Sequence, residues 1–140
     1  MDEQYQKYRF MEANLVHKKR RLRGQLPDIK KTLETIVHLK ENKVSSVTST
    51  ANFVLSDSVY AVAEVPPTDT VYLWLGANVM LEYSIDEAER LLKKNQETAS
   101  TNLKQVEADM DFLREQITTM EVNMARVYNW DVQKRKEKKA

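Results

Sequence analysis

The sequence predicts a mainly α fold: a long antiparallel coiled-coil helical hairpin with two β-hairpins inserted between its arms. Three observations predict it. From Ala99 onward the apolar positions Ala99, Leu103, Val106, Met110, Leu113, Ile117, Met120, Met124 and Val127 alternate between spacings of four and three. That is a heptad seam held for about four heptads. Between Phe53 and Tyr83 the pattern changes to short runs of β-branched and aromatic residues. The 140 residues include only two glycines and three prolines, with 31% charged side chains, a composition of long helices rather than loops.

Taken in order over a single domain spanning 1–140, the first arm covers residues 1–43. Tyr8, Met11 and Leu15 keep its seam, Lys18 breaks it, and Leu22, Leu26, Ile29, Leu33 and Ile36 resume it. The phase slips between Leu22 and Leu26, where Gly24 and Pro27 sit. A proline removes a backbone donor and clashes with the preceding turn, so a kink near 24–27 is expected. The alternative is two helices, with Pro27 in the first turn of the second. Residues 44–83 hold a linker and the two hairpins. Asn42 to Asn52 is polar and Ser/Thr-rich and reads as the linker. Phe53–Leu55 and Val59–Val65 flank a turn at Ser56-Asp57-Ser58, and Val71–Leu75 and Val79–Tyr83 flank Gly76-Ala77-Asn78. Pro66-Pro67-Thr68-Asp69 separates the pairs, because no strand runs through it. Isolated hairpins are marginal in water, so the insert calls for a partner chain. Ser84-Ile85-Asp86-Glu87 fits a capping box that opens the second arm, residues 84–137. The last residues, from Lys134 to Ala140, read as a solvated, disordered tail.

One antiparallel register matches both seams. It places Tyr8 opposite Met120, Met11 opposite Ile117, Leu15 opposite Leu113, Leu22 opposite Val106, Ile29 opposite Ala99 and Ile36 opposite Leu92. The same register sets Glu34 beside Lys93 and Lys94, Lys30 and Lys31 beside Glu97, and Lys40 near Asp86, Glu87 and Glu89. It also sets the basic run His17 to Arg23 (HKKRRLR) opposite Glu107, Asp109 and Asp111, with Glu115 just beyond. Flanking charges of opposite sign select coiled-coil register. Each exposed pair contributes only about 0–1 kcal/mol, so stability comes from the seam.

That match bears on what the basic run does. Such runs serve nuclear import or nucleic-acid binding when they stand alone. Here 22 Lys and Arg balance 21 Asp and Glu, for a net charge of +1, unlike a dedicated polyanion binder. The run reads as a register clamp, and neither nucleic acid nor membrane is an expected partner. Val71 to Leu81, the longest near-continuous apolar stretch, is too short to span a bilayer. The absence of cysteine excludes disulfides, thiolate metal sites and a thiol nucleophile. The two histidines, His17 and His38, form no ligand-like cluster, and Gly24 and Gly76 are isolated, so no phosphate-cradling loop is present. No catalytic residue, metal site or cofactor is expected, and the chain reads as a non-enzyme.

The apolar residues at the distal ends of the arms, Tyr5, Phe10, Val122, Tyr128 and Trp130, lie outside the seam. Either they pack on one another or on an N-terminal extension, or they form a soft surface that adapts to varied partners, with Met11, Met120 and Met124 contributing.

Several segments carry a family resemblance over essentially the whole chain. LWLGANVMLEYSIDEA (Leu73 to Ala88), MDEQYQKYRFMEANL at the start, KKRRLRGQLP (Lys18 to Pro27) and EVNMARVYNWDV (Glu121 to Val132) resemble the α class of the prefoldin family. Proteins of that kind carry further residues before this start, so a shortened first arm is expected. The resemblance implies a hetero-hexameric, ATP-independent chaperone of two α-class and four β-class subunits. This chain's partners would then be one further α-class and four β-class subunits, non-native actin and tubulin, the cytosolic chaperonin, and the von Hippel–Lindau protein. It implies work in the cytoplasm, with entry to the nucleus as well. On that basis Phe53, Leu55, Tyr60, Val62, Val71, Leu73, Leu75, Val79 and Leu81 are expected to serve assembly. Tyr5, Tyr8, Phe10, Met120, Met124, Val127, Tyr128 and Trp130 are expected to contact clients, several weak tips acting together through effective concentration. Chaperonin docking is a second reading of the basic tail. A coiled-coil scaffold for a folded partner is the alternative function, distinguished by stoichiometric binding without suppression of aggregation.

Overall fold

A computed structural model describes residues 2–138 of the chain. Helix α1 (Asp2–Ser45) is followed by strands β1 (Ser49–Ser56), β2 (Val59–Val65), β3 (Thr70–Gly76) and β4 (Val79–Ser84), and then by helix α2 (Ile85–Glu137). The chain divides into two compact units, one made of residues up to 25 and from 99 onward, the other of residues 26–98.

In the unit of residues 26–98, α1 runs through Pro27 without a break, which decides for a single first helix. Its end lies beyond the expected linker boundary. Ser46 adopts φ 51°, the Val47 N–H donates to Asn42 O (3.0 Å), and the Ser46 N–H donates to Lys43 O (3.2 Å). These two bonds form a Schellman cap. The predicted linker over Asn42 to Asn52 is therefore corrected. Its first residues complete α1 and those from Ser49 form β1, so little connecting chain remains. The polar Ser/Thr content that suggested a linker serves a helix cap and one edge of a hairpin instead.

Each β-hairpin is a separate two-stranded antiparallel sheet, β1 with β2 and β3 with β4. Both carry a bulge just before the turn, between Val54 and Ser56 in the first and between Trp74 and Gly76 in the second. Positive φ at Ala77 (49°) and Asn78 (59°) gives the second hairpin a turn whose twist matches its strands, and Gly76 (94°) supplies the bulge. Strand β4 then passes directly into α2 through the predicted capping box. The Glu87 N–H donates to Ser84 Oγ (3.3 Å), and Glu87 Oε2 accepts from the Ser84 N–H (3.3 Å) and hydroxyl (2.9 Å). These bonds, the side-chain one first, hold the Glu87 carboxyl below its ordinary value. Ile36, Ile85 and Ala88 are buried beside this junction, with Leu39, Val71, Leu73, Tyr83 and Leu92 packed against them.

In the other unit α1 and α2 lie antiparallel. Leu22, Ala99, Val106, Met110, Leu113 and Ile117 are buried, as the heptads require, and Val106 is only 1% exposed. The seam fades toward the end of α2, where Val127 is 51% exposed. Lys18 is exposed, and Lys19 instead takes the half-buried place that interrupts the first seam. The expectation of a disordered tail from Lys134 is also corrected. Residues Lys134 to Glu137 continue α2, held by Lys134–Glu137 (2.9 Å) and Arg135–Asp131 (2.7 Å). Cations in a last helical turn are also favoured by the helix dipole. Lys139 and Ala140 lie outside the described residues, as does Met1.

Three stability changes follow. Leu113→Ala should destabilise the chain by about 2–5 kcal/mol, as for large-to-small core changes. Val127→Ala should cost far less, and urea unfolding followed by helical circular dichroism compares them. Ser46→Gly should raise stability by about 1 kcal/mol, because glycine removes the Cβ penalty at positive φ.

Candidate functional site

The charges that flank the seam align the two helices near their distal ends. Lys19 Nζ lies 3.0 Å and Arg23 Nη2 2.9 Å from the same oxygen of Glu107. Tyr5 donates its phenol proton to Glu121 Oε1 across 2.9 Å. Each of these pairs falls within two residues of the predicted register with Leu15 opposite Leu113. In the unit of residues 26–98, Lys40 bridges Asp86 (2.7 Å) and Glu89 (3.0 Å), and Lys43 reaches Asp69 (2.6 Å). The hydrogen bond to Asp86 leads in raising the Lys40 ammonium above its usual value, and the Asp86 carboxyl is lowered in return.

Other expected pairs do not form among the described residues. Glu34 turns to Lys30 on its own helix at 4.0 Å, Lys93 pairs with Glu89, and Asp111 pairs with Arg114. Neighbours one turn away on the same helix reach these groups first. The basic run is accordingly a narrower clamp than expected, with Lys19 and Arg23 on Glu107 as its working part.

Around this frame the apolar surface falls into two sets. At the helix ends, Tyr5 is half-buried and engaged, with the Arg9 guanidinium 5.8 Å from its ring centroid. The bond to Glu121, together with partial burial, raises the Tyr5 phenol above its ordinary value. Tyr8 is half-buried and accepts from Gln4 Nε2 at 3.3 Å. Tyr5 therefore helps to hold the two helices together. Met120 is also half-buried, while Tyr128 and Trp130 are exposed. Met124, Val127 and Tyr128, one turn apart on α2, line an open depression of about 370 Å³ rimmed by Asp2 and Asp131. Trp130 is not among the residues lining it. Phe10, 70% exposed, lies on α1 near Val16, which sequence reasoning did not single out; neither did it single out exposed Phe112 on α2. Their off-seam helical positions were visible in the sequence, but nothing there separated them from scattered surface residues.

The expected assembly residues of the β-hairpins divide by burial. Val71 and Leu73 turn toward Ile36, Ile85 and Ala88 and complete that core. Phe53, Leu55, Tyr60, Val62, Leu75, Val79 and Leu81 are exposed, Val62 to 72%. Sequence reasoning missed Val54 on the first hairpin, and Tyr72, Trp74 and Met80 on the second. Trp74 lies directly opposite Met80 in the register, and Tyr72 falls two residues before Trp74 on the same face. Trp74 is 62% exposed. Every strand has one neighbour only among the described residues, so each keeps an unpaired edge beside exposed apolar side chains. Such edges are templates for strands of another chain.

Chemistry-bearing clusters are sparse. Among the described residues no group of three or more His, Asp or Glu side chains is placed to hold a metal ion. His38 shares a 3.1 Å hydrogen bond with Asn42, and His17 lies exposed on α1. No helix in the described residues is long and apolar enough to cross a membrane.

The family described as Prefoldin subunit matches residues 8–130. The chain belongs to the prefoldin family. Prefoldin subunit 3 of Mus musculus is 62% identical over 135 residues, covering 96% of this chain and 69% of the mouse protein. A probable prefoldin subunit 3 of Schizosaccharomyces pombe is 50% identical over 95% of this chain and 78% of its own length. Among solved structures, a chain of the filamentous prefoldin of Methanocaldococcus jannaschii superposes with a TM-score of 0.66 at 18% identity. It covers 88% of this chain and 99% of its own, a likeness of fold. The prefoldin match ends at residue 130, so it includes the exposed hairpins and the depression-forming residues up to Tyr128.

The Glu107 clamp yields a pH prediction. Its carboxyl is held below the ordinary glutamate value of about 4.5, chiefly by the hydrogen bond from Lys19 and then by the charges of Lys19 and Arg23. A lowered carboxylate contributes stability that is present above the unfolded value and lost as pH falls through the folded one. Thermal midpoints should therefore fall more steeply from about pH 5 to about pH 3 in the wild type than in Glu107→Gln. Equal slopes would show that the clamp contributes nothing to stability.

Proposed function

We propose that this chain is one subunit of a hetero-hexameric, ATP-independent chaperone that captures non-native polypeptides, actin and tubulin among them, and passes them to the cytosolic chaperonin. The observation that carries the reading is the state of the two β-hairpins. Each is, among the described residues, a two-stranded sheet with open edges and apolar side chains left in water, Trp74 and Met80 among them. A free two-stranded hairpin is marginal and an apolar edge invites aggregation, so strands of other prefoldin subunits are the expected cover. One further α-class and four β-class subunits would complete the ring.

The helix ends supply the client surface in this reading. Val127, Tyr128 and Trp130 are exposed where the seam fades, and Met124 adds a flexible, polarizable side chain. Such a surface accepts many sequences weakly. Several such ends around one client would hold it firmly while each contact stays releasable. In this reading the work is cytoplasmic, with nuclear entry as part of the complex.

Two variants separate the parts. Trp74→Glu/Met80→Glu should prevent the chain from joining a hexamer when mixed with the other prefoldin subunits, as read by mass in solution. Val127→Ser/Tyr128→Ser/Trp130→Ser should leave that mass unchanged and weaken suppression of aggregation of denatured actin severalfold. A wild-type chain that forms no hexamer and holds no actin would overturn the proposal. Stoichiometric binding to a folded partner without any effect on aggregation would favour a scaffold.

A further inference from the structure

The pair of helices uses only part of the basic run. Lys19 and Arg23, one turn apart, both reach Glu107. Lys18, Arg20 and Arg21 are exposed and form no ion pair among the described residues. Arg20 and Arg21 fall on the side of α1 opposite its seam, where Phe10, Ala13 and His17 also fall, with Val16 at the margin and Lys18 on one flank. The seam side, by contrast, is marked by Leu15 and Leu22.

The surface there is shaped as well as charged. An open depression of about 500 Å³ is lined by Arg9, Glu12, Ala13, Val16 and His17. A second, of about 310 Å³, is lined by Asn14, His17, Lys18 and Arg21. The two linings share His17, so the first depression, with Ala13 and Val16, adjoins the second, where Lys18 and Arg21 supply cations. The distance from Phe10 to Arg21 along the helix is about 16 Å, three turns. Positions away from a coiled-coil seam are normally polar, and pairing with α2 gives no reason for Phe10 and Val16 to stand there.

We propose that this outer face of α1 docks an acidic segment of another protein. An aliphatic anchor sits beside Ala13 and Val16, and carboxylates lie over Lys18, Arg20 and Arg21. Charge complementarity names the occupant, since cations lacking an internal partner sit next to an apolar depression. A nucleic acid fits less well. The chain balances 22 Lys and Arg against 21 Asp and Glu, too few net cations to neutralise a run of phosphates, whereas a short acidic segment needs only the local cluster. This docking is separate from client holding at the helix ends and does not depend on it.

The test uses the full chain and a fluorescein-labelled short peptide carrying a leucine pair followed by a run of glutamates, read by fluorescence anisotropy. Binding should be saturable and should weaken as salt screens the ion pairs. Arg20→Glu/Arg21→Glu and, separately, Val16→Ser should each weaken it by about tenfold, with helical circular dichroism unchanged. Lys134→Glu/Arg135→Glu, an equal charge change elsewhere, should leave it within about twofold. The proposal is overturned by any of four results. These are no binding, equal loss in both double variants, undiminished binding of a peptide whose leucines are serines, or tighter binding of a single-stranded oligonucleotide that the Arg20 and Arg21 changes abolish.

Discussion

Ile36, Ile85 and Ala88 close on one another where strand β4 becomes helix α2, and the rest of the unit of residues 26–98 takes its direction from that contact. Ser84 is at once the last residue of a strand and the cap of a helix, so no loop intervenes to loosen the joint. The side chains of Val71, Leu73 and Tyr83 pack on the same cluster and fix which face of the second hairpin turns inward. Lys40, bridging Asp86 and Glu89 alongside, sets α1 against α2 by charge as well as by packing. Burial stabilises this joint, and the ion pairs choose among registers of similar burial.

Once one face of the second hairpin is committed to the helices, Tyr72, Trp74 and Met80 have no place to go within the chain. Their exposure follows from the pleat, since successive strand residues point to opposite sides. On the first hairpin Val54, Tyr60 and Val62 share one side of the β1–β2 register and are exposed, and Phe53 and Leu55 on the other side are exposed as well. Membership in the prefoldin family makes assembly with other subunits of that family the natural outlet for both surfaces. At the distal ends the same logic works in the other direction. The seam keeps Leu113 and Ile117 buried, and Val127 further along α2 stands in solvent.

Much of this was legible in the residues themselves. The heptads of α2, the capping box, both hairpins and the antiparallel register stand in the structure as the sequence patterns require. The end of α1 was not legible, because a left-handed cap usually carries glycine or asparagine and here carries Ser46. The tail after Lys134 was misread because its charge density suggests disorder until the pairs Asp131–Arg135 and Lys134–Glu137 are considered. Pairings such as Glu34 with Lys93 failed for a related reason. Register brings two helices near each other, but a long side chain bonds to whichever partner is closest, and that was often one turn away.

The sequence by itself determined the element order, the register and the excess of apolar residues over what the chain can bury, since these rest on periodicity and on sign of charge. Only the tertiary structure decided which hairpin residues face outward and which client candidates are free. β3 is apolar on both faces, so its alternation has no phase until β4 is tied to α2 at Ser84 and Ile85. That tie sends Val71 and Leu73 into the core and leaves Trp74 in solvent. Tyr5 looks equivalent to Tyr128 in the sequence. Long-range packing separates them, because a hydrogen bond to Glu121 from a residue far along the chain is a property of the folded pair of helices and of no local pattern.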